Sequence, residues 1–192
     1  MTSLIEKIKS PHHLRQQLGT AFFLALSVLA PPGPLSAAER AWVFPLGLFL
    51  FLLGFLGRVW ASGFLVKNDR LTTAGPYGRV RNPIYVANLL LGAGLILQSG
   101  LYWTFAILGL LYGICYRPGM RVEEENLRRR FGPAFDAYAA AVPLILPKSQ
   151  TAQGYGGGQY SWRAYFDNRE QFVSVGLLAA FGFLLCRRWM SG

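Results

Sequence analysis

Two short polar stretches hold the residue types that can do chemistry. The first reads Leu71-Thr72-Thr73-Ala74-Gly75-Pro76-Tyr77-Gly78-Arg79-Val80-Arg81-Asn82-Pro83-Ile84-Tyr85. The second holds Glu123-Glu124-Glu125-Asn126-Leu127, then Phe131-Gly132, Tyr138, Val142-Pro143 and Leu146-Pro147. Gly75-Pro76 marks a turn and Asn82-Pro83 a second break in the chain. A proline at the first position of a helix leaves neighbouring amides open, and such an end favours an anion. Tyr77 and Tyr85 offer aromatic faces with hydroxyl handles, while Arg79 and Arg81 offer positive charge. Successive helical residues turn by about 100°, so only one or two of the three adjacent acids can face the first stretch. A carboxylate there can bind an ammonium group or a pair of ribose hydroxyls. The bland alternative is a solvated acidic patch balanced against Arg128-Arg129-Arg130, and periodicity alone favours it.

The elements that must position these residues are membrane spans. Of 192 residues, 53% are hydrophobic, 15% aromatic and only 15% charged, which is too apolar for a soluble domain of this length. Several apolar runs approach the roughly 20 residues that cross a bilayer. The net charge of +10, from 19 basic and 9 acidic residues, would suggest nucleic acid on a soluble protein. Here the basic residues sit in loops beside apolar runs, as the positive-inside rule expects, so no nucleic-acid partner is expected. These residues can also hold anionic lipid headgroups.

Residues 1–17 read as a basic amphipathic stretch for the bilayer surface. The spans expected are about 18–34, 41–66, 84–98, 101–116 and 171–186, with a small loop at 35–40. The run 18–34 ends in Pro31-Pro32-Gly33-Pro34 without a small-x-small cleavage site, so it reads as a retained first span. Arg58 lies near the later end of the second span, where snorkelling to the interface is the favoured reading. Spans three and four are joined only by Ser99-Gly100, which forces antiparallel neighbours. The small residues Ala87, Gly92, Ala93 and Gly94 let helices approach closely. That hairpin of roughly 30 residues brings the chain back to the face it left, so both polar stretches meet there. Residues 118–141 predict one amphipathic helix outside the bilayer, begun by Pro118 and stopped before Pro143. Residues 148–161 predict a flexible glycine-rich linker. The basic loops place the N-terminus and residues 67–83 and 117–170 on the cytoplasmic side. Arg187-Arg188 conflict with that rule, because a fifth span ends outside.

The fold class expected is therefore an all-α integral membrane protein of about five transmembrane helices, with a cytosolic amphipathic helix completing the site. It forms a single membrane domain: 1–66 as N-terminal helix and two spans, 67–147 as the core, 148–170 as linker and 171–192 as a final span. Cys115 and Cys186 make neither a zinc spacing nor a disulfide framework. His12 and His13 are adjacent and lack supporting ligands, so no metal site is expected. No Gly-x-Gly-x-x-Gly follows a strand, which argues against a soluble-type nucleotide domain.

The joint order of motifs resembles the isoprenylcysteine carboxyl methyltransferases and the related phospholipid methyltransferases. The matching residues are Gly75-Pro76-Tyr77, Arg81-Asn82-Pro83-Ile84-Tyr85, Glu123-Glu124, Leu127, Phe131-Gly132, Tyr138, Val142-Pro143 and Leu146-Pro147, spread over residues 69–147. The resemblance implies an integral-membrane enzyme that uses S-adenosylmethionine and releases S-adenosylhomocysteine, with the cofactor at the cytoplasmic interface. Carried over by position, Leu71, Thr72 and Tyr77 would line the cofactor, and Asn82, Pro83, Ile84 and Tyr85 would contact it. Glu123 would bind it from the other side, and Leu146-Pro147 would close over the adenine. The family usually has Arg-His-Pro where this chain has Arg81-Asn82-Pro83. Asparagine still hydrogen-bonds but is neither a cation nor a base. The family's carboxyl methyltransferases carry an arginine shortly before the first glutamate; here Gly119 holds that position, flanked by Arg117 and Arg121.

Methyl transfer from a sulfonium is a direct displacement, so positioning supplies most of the catalysis. A carboxylate acceptor needs a cationic clamp, for which Arg121 or Arg117 is the choice. An amine acceptor must lose a proton, and Glu124 or Tyr85 can assist. The resemblance favours carboxyl O-methylation of a lipophilic small molecule or prenylated substrate that arrives from the bilayer, with phospholipid amines and small thiols as alternatives. An NADPH-dependent membrane reductase of the sterol type and a non-enzymatic membrane scaffold are readings of another class.

Overall fold

A computed structural model describes residues 25, 36–66 and 70–190. The regular elements among those residues are helices, with one isolated parallel bridge between Ala74 and Gly156 and no strand among them. The predicted first span at 18–34 and the basic stretch 1–17 lie outside the described residues, apart from Ala25.

Helix α1 spans Ala37–Phe64. Residues 37–40, expected in a loop, extend this helix instead. Helix α2 spans Pro83–Ser99, with proline in its first turn and Gly100 at φ 72° closing it, the usual asymmetry of helix ends. The two pack along a seam of small residues at seven-residue spacing. A Cβ on Gly54 would meet the Ala87 carbonyl oxygen at 2.7 Å, and one on Gly94 would meet the Phe51 amide nitrogen at 2.7 Å. Backbones that close leave no room for a side chain and gain dispersion contact along their length. Pro45 sits inside α1, and beside it Gln98 Nε2 donates to the Phe44 carbonyl at 2.9 Å. A buried amide thus ties the two helices at this point.

Beyond Gly100 the chain turns and runs back without interruption through α3 (Thr104–Leu111), a π-turn (Tyr112–Tyr116) and α4 (Arg117–Phe131). Ile96 and Leu108 join α2 to α3 in a small core. The single helix expected over 118–141 is instead two. Gly132 adopts φ 50°, ψ −127°, and α5 (Pro133–Ala141) begins at the next residue. Proline disfavours the helical region for the residue before it, and glycine accepts a positive φ that other residues resist. The pair therefore breaks the helix.

The C-terminal part also departs from expectation. Residues 148–161 are docked rather than a free tether. Lys148 N donates to Arg79 O (3.1 Å), Ala152 N to Gly78 O (3.0 Å), Gly156 N to Thr73 O (2.8 Å), and Gly75 N to Gly156 O (2.9 Å). The glycines serve this approach, since a Cβ on Gly78 would lie 2.6 Å from Gly156 Cα. A short α6 (Trp162–Asp167) follows, then α7 (Glu170–Met190). Helix α7 lies against α1 and α2 through Leu177, Phe181 and Leu184. Phe181 stacks on Phe51 with ring centroids 4.0 Å apart. At its far end Arg188 donates to the Gln98 carbonyl. Arg188 thus lies at the carbonyl end of α2, where the helix dipole favours a cation.

Among the described residues, two helices are long and apolar enough to cross a membrane, residues 41–64 of α1 and the whole of α7. Helix α2 is apolar but only 17 residues long, and the predicted fourth span is divided by the π-turn. Large apolar side chains such as Trp42, Leu56, Val175 and Trp189 project outward from α1 and α7, as a lipid-facing surface requires.

Candidate functional site

The first polar stretch is pinned from below. Gly75–Gly78 forms a 3₁₀ turn, within which Tyr77 is buried. Tyr138 of α5 donates its hydroxyl to the Tyr77 carbonyl at 2.8 Å. Arg81 N donates to Pro143 O at 2.8 Å, Asn82 Nδ2 to Leu144 O at 3.3 Å, and the Arg81 guanidinium to Ala139 O. The Val142-Pro143 segment therefore acts as a seat for the stretch. Leu71 packs into the cluster of Phe135, Tyr138 and Val142, and the Thr72 hydroxyl closes a small loop on Val66.

Helices α2 and α4 then bring the two stretches into contact. The Tyr85 hydroxyl donates to Glu123 Oε2 at 3.5 Å. Arg81 Nε lies 2.8 Å from Glu124 Oε1, an ion pair by distance whose angle falls outside hydrogen-bond geometry. Tyr85 also meets the buried ring of Tyr116 edge to face, with centroids 5.6 Å apart, and Tyr112 continues the series at 6.4 Å. Tyr116, Met120, Glu123 and Leu127 recur at three- and four-residue intervals, so they share one face of α4 and of the π-turn that leads into it. Glu125 turns the other way and pairs with Arg129 at 3.6 Å on the exposed side. The solvated-patch reading thus describes Glu125, while Glu123 and Glu124 meet the first stretch.

The electrostatics follow the burial. Burial pushes the ionisation of the Tyr77 phenol far above its usual range; the Glu123 carboxylate, Tyr138 and Glu170 add to that push, and Arg58 opposes it. Tyr138 is raised in the same direction by burial, with Arg81 opposing and Glu124 adding. Both phenols stay neutral at physiological pH, which makes them hydrogen-bond donors rather than bases.

The expected site residues fall into two sets. Tyr77, Arg81, Asn82, Pro83, Tyr85, Glu123 and Glu124 converge at one end of the bundle, with Ile84 half-buried beside them. Leu146 is 81% exposed, and Pro147, Arg117 and Arg121 are exposed too. A cleft of about 320 Å³ between the end of α1 and α6, lined in part by Leu65, Val66, Ser161 and Asn168, includes none of the converging residues.

Sequence reasoning missed one cluster. Arg58 does not snorkel: it forms an ion pair with Glu170 and donates to Asn88, and its side chain is only 16% exposed. The signal was present. Glu170 is an acid at the head of an apolar run, and Arg58 is a base near the end of another. Charges at such depth pair when they can.

Comparison with known proteins gives these features a context. Residues 45–134 match the phospholipid methyltransferase family model. The chain is 36% identical over 124 residues to the cobalt-zinc-cadmium resistance protein CzcN of Cupriavidus metallidurans, covering 60% of this chain and 56% of that protein. It is 32% identical over 116 residues to the nickel-cobalt-cadmium resistance protein NccN of Alcaligenes xylosoxydans xylosoxydans, covering 57% and 54% respectively. The match thus spans about half the length of these curated relatives. No solved structure matches. Among the described residues, no group of three or more His, Cys, Asp or Glu side chains could hold a metal ion. The matched segment, somewhat under half of the chain, contains Tyr77, Arg81, Tyr85, Glu123 and Glu124, and over it the chain is similar to the phospholipid methyltransferases.

Proposed function

We propose that the protein is an S-adenosylmethionine-dependent methyltransferase working at the cytoplasmic face of a membrane on a lipidic acceptor. The observation that carries this is the contact between Tyr85 and Glu123, which joins the two motif stretches across the hairpin. The residues gathered there suit the cofactor. A carboxylate bordered by tyrosine rings attracts a sulfonium through charge and ring quadrupole, and the same carboxylate can accept from ribose hydroxyls. In this reading Glu123, Tyr85, Tyr77, Leu71, Thr72, Asn82, Pro83 and Ile84 hold the nucleoside, while Leu146 and Pro147 close on it from their exposed position.

The cofactor, when bound, supplies a methyl group that the acceptor's lone pair displaces from sulfur, with S-adenosylhomocysteine as product. The protein's part is alignment and the exclusion of water, and alignment is worth up to about 7–11 kcal/mol. The convergent charge favours an amine acceptor over a carboxylate. Arg117 and Arg121, which a carboxylate would need as a clamp, are exposed, and Arg81 is engaged by Glu124. An ammonium has no lone pair and must first lose a proton; the Tyr85–Glu123 pair lies where it can accept that proton and pass it to water. Carboxyl O-methylation remains the second reading, favoured by the two arginines on α4, and it requires one of them to turn inward.

The test is full-length protein in lipid nanodiscs, titrated by calorimetry with S-adenosylhomocysteine and with NADPH. It is followed by a labelled methyl donor and a lipid extract, with the labelled product identified. Binding of S-adenosylhomocysteine and label in a lipid amine support the reading. Binding of NADPH alone, or of neither, overturns it, and label in a carboxyl ester selects the second.

A further inference from the structure

A second polar cluster lies at the same end of the bundle and belongs to none of the matched motifs. Arg58 on α1 grips both carboxylate oxygens of Glu170, the first residue of α7, and its third prong donates to Asn88 Oδ1 on α2. One guanidinium therefore ties three helices. The Arg58 and Glu170 side chains are 16% and 6% exposed. A buried pair of this kind is poor evidence for net stability, because apolar residues of similar volume often do as well; its best-attested use is to specify one arrangement. The surrounding backbone is built to present it. Asn168 donates to the Ser62 and Leu65 carbonyls at the end of α1. Arg169, the residue before Glu170, takes a positive φ of 58°, a strained conformation that turns the chain from α6 into α7.

The cluster touches the methyl-transfer site at two points. Asn88 lies one turn along α2 from Tyr85, on the same face, so whatever fixes Asn88 fixes the turn that presents Tyr85 to Glu123. Tyr77 is the second point: its hydroxyl lies in the field of Glu123, Glu170 and Arg58 together.

We propose that Arg58 and Glu170 are positioning residues for cofactor binding, which lock α7 against α1 and α2 and, through Asn88, hold Tyr85 where it meets Glu123. This rests on the methyltransferase reading and adds to it that α7, which lies outside residues 45–134, is required for tight binding of the S-adenosyl nucleoside. The experiment measures, for full-length variants in nanodiscs, the folded fraction, the melting temperature and the dissociation constant for S-adenosylhomocysteine of the folded protein. Glu170→Gln and Arg58→Lys are expected to weaken that constant by about 10-fold and Asn88→Ala by about 3-fold, the range of coupling between residues of one polar network. The reversed pair, Arg58→Glu with Glu170→Arg, regains part of the loss. A merely structural latch lowers the melting temperature and folded fraction but leaves the constant of the folded protein at its wild-type value, and that result overturns the proposal. Asn88→Ala keeps the ion pair and places a good helix former in α2, so an unchanged constant there overturns the proposal even if the Glu170 variants do not fold. Wild-type protein that binds no S-adenosylhomocysteine overturns the methyltransferase reading itself, whereas tight wild-type binding with insensitive variants overturns the positioning role alone.

Discussion

Residues 45–134 and residues 148–190 meet at the same end of the molecule, held there by different physics. The first region carries motif residues on helices joined by a hairpin, and its contacts between the two polar stretches come from side chains: Tyr85 with Glu123 and Arg81 with Glu124. The second has no motif. Its strap, residues 148–158, is held by backbone hydrogen bonds to residues 73–79, and its helix by one buried ion pair and a stacked phenylalanine. Backbone pairing tolerates almost any sequence, provided the strands can approach. A region can therefore be essential to the geometry of a site and still leave little trace in residue types. The comparison teaches that a motif marks side chains that converge, whereas a region without one can be docked against them through backbone alone.

The comparison breaks most sharply at Glu123. Glu123→Ala removes the acceptor for Tyr85 and the charge offered to a sulfonium. A hydrogen bond to a charged group is worth about 1.5–3 kcal/mol, so S-adenosylhomocysteine affinity is expected to fall roughly 10- to 100-fold. Because Glu123 is exposed, the melting temperature should hardly move. Calorimetry with a parallel thermal melt checks both. A large loss of stability with unchanged affinity would reverse the roles assigned to the two regions.

Gly78→Ala attacks the strap instead. The new Cβ would lie 2.6 Å from Gly156 Cα and 2.7 Å from Thr151 Cγ2, and the first of these is backbone that cannot rotate away. Overpacking of this kind costs about 1–3 kcal/mol. The expected outcome is a lower melting temperature and faster proteolysis within residues 148–158, read by mass spectrometry of the fragments. An unchanged cleavage pattern would mean that the strap is not held where the structure places it.

How much of this was legible in the sequence depended on what kind of signal each feature left. One side of the seam of α1 and α2 was readable, because small residues stand out against an apolar run and Ala87 and Gly94 are where the helices touch; the α1 side, with Gly47 and Gly54, was not. The approach of the two polar stretches was readable because a hairpin has only one way to return. The break at Gly132 was hidden because helical periodicity continues across it, although Gly-Pro is a recognisable interruption. The strap was read as flexible because glycine signals both freedom and close approach, and only the partner backbone at Thr73, Gly78 and Arg79 decides between them. Arg58 was read as an interfacial arginine because its partner lies 112 positions away, and no local pattern links the two. Candidate cofactor residues could be named by resemblance, but the side-chain contacts that order them, such as Tyr138 to Tyr77, could not.

Alkali sharpens the comparison further, because both raised phenols sit at the boundary between the two regions. Tyr77 and Tyr138 keep their protons when folded to a pH above the ordinary phenol value. In the unfolded chain they lose them near the reference value of about 10. Above that pH the unfolded state binds fewer protons than the folded one, so stability falls as pH rises, by about 1.4 kcal/mol per pH unit for each such group. Below pH 9 neither contributes a slope. Chemical denaturation at pH 8, 10 and 11 should show a flat region and then a decline, and a flat profile through pH 11 would contradict the burial of both groups.

Tyr138→Phe makes the smallest change and separates the two phenols. The ring contacts with Phe135 and with Tyr155 of the strap survive, since phenylalanine fills the same space. What is lost is the donor to the Tyr77 carbonyl at 2.8 Å, which leaves a buried acceptor unpaired at a cost of about 1–3 kcal/mol. At neutral pH the variant should therefore be less stable than the wild type. Above pH 10 the gap should narrow, because the variant no longer has the Tyr138 proton to defend and its alkaline slope halves. The sign of that change is the informative part. If the gap widens with pH, the Tyr138 hydroxyl ionises in the folded chain before it does in the unfolded one. The contact that joins α5 to the 3₁₀ turn would then be something other than a neutral phenol donating to a carbonyl.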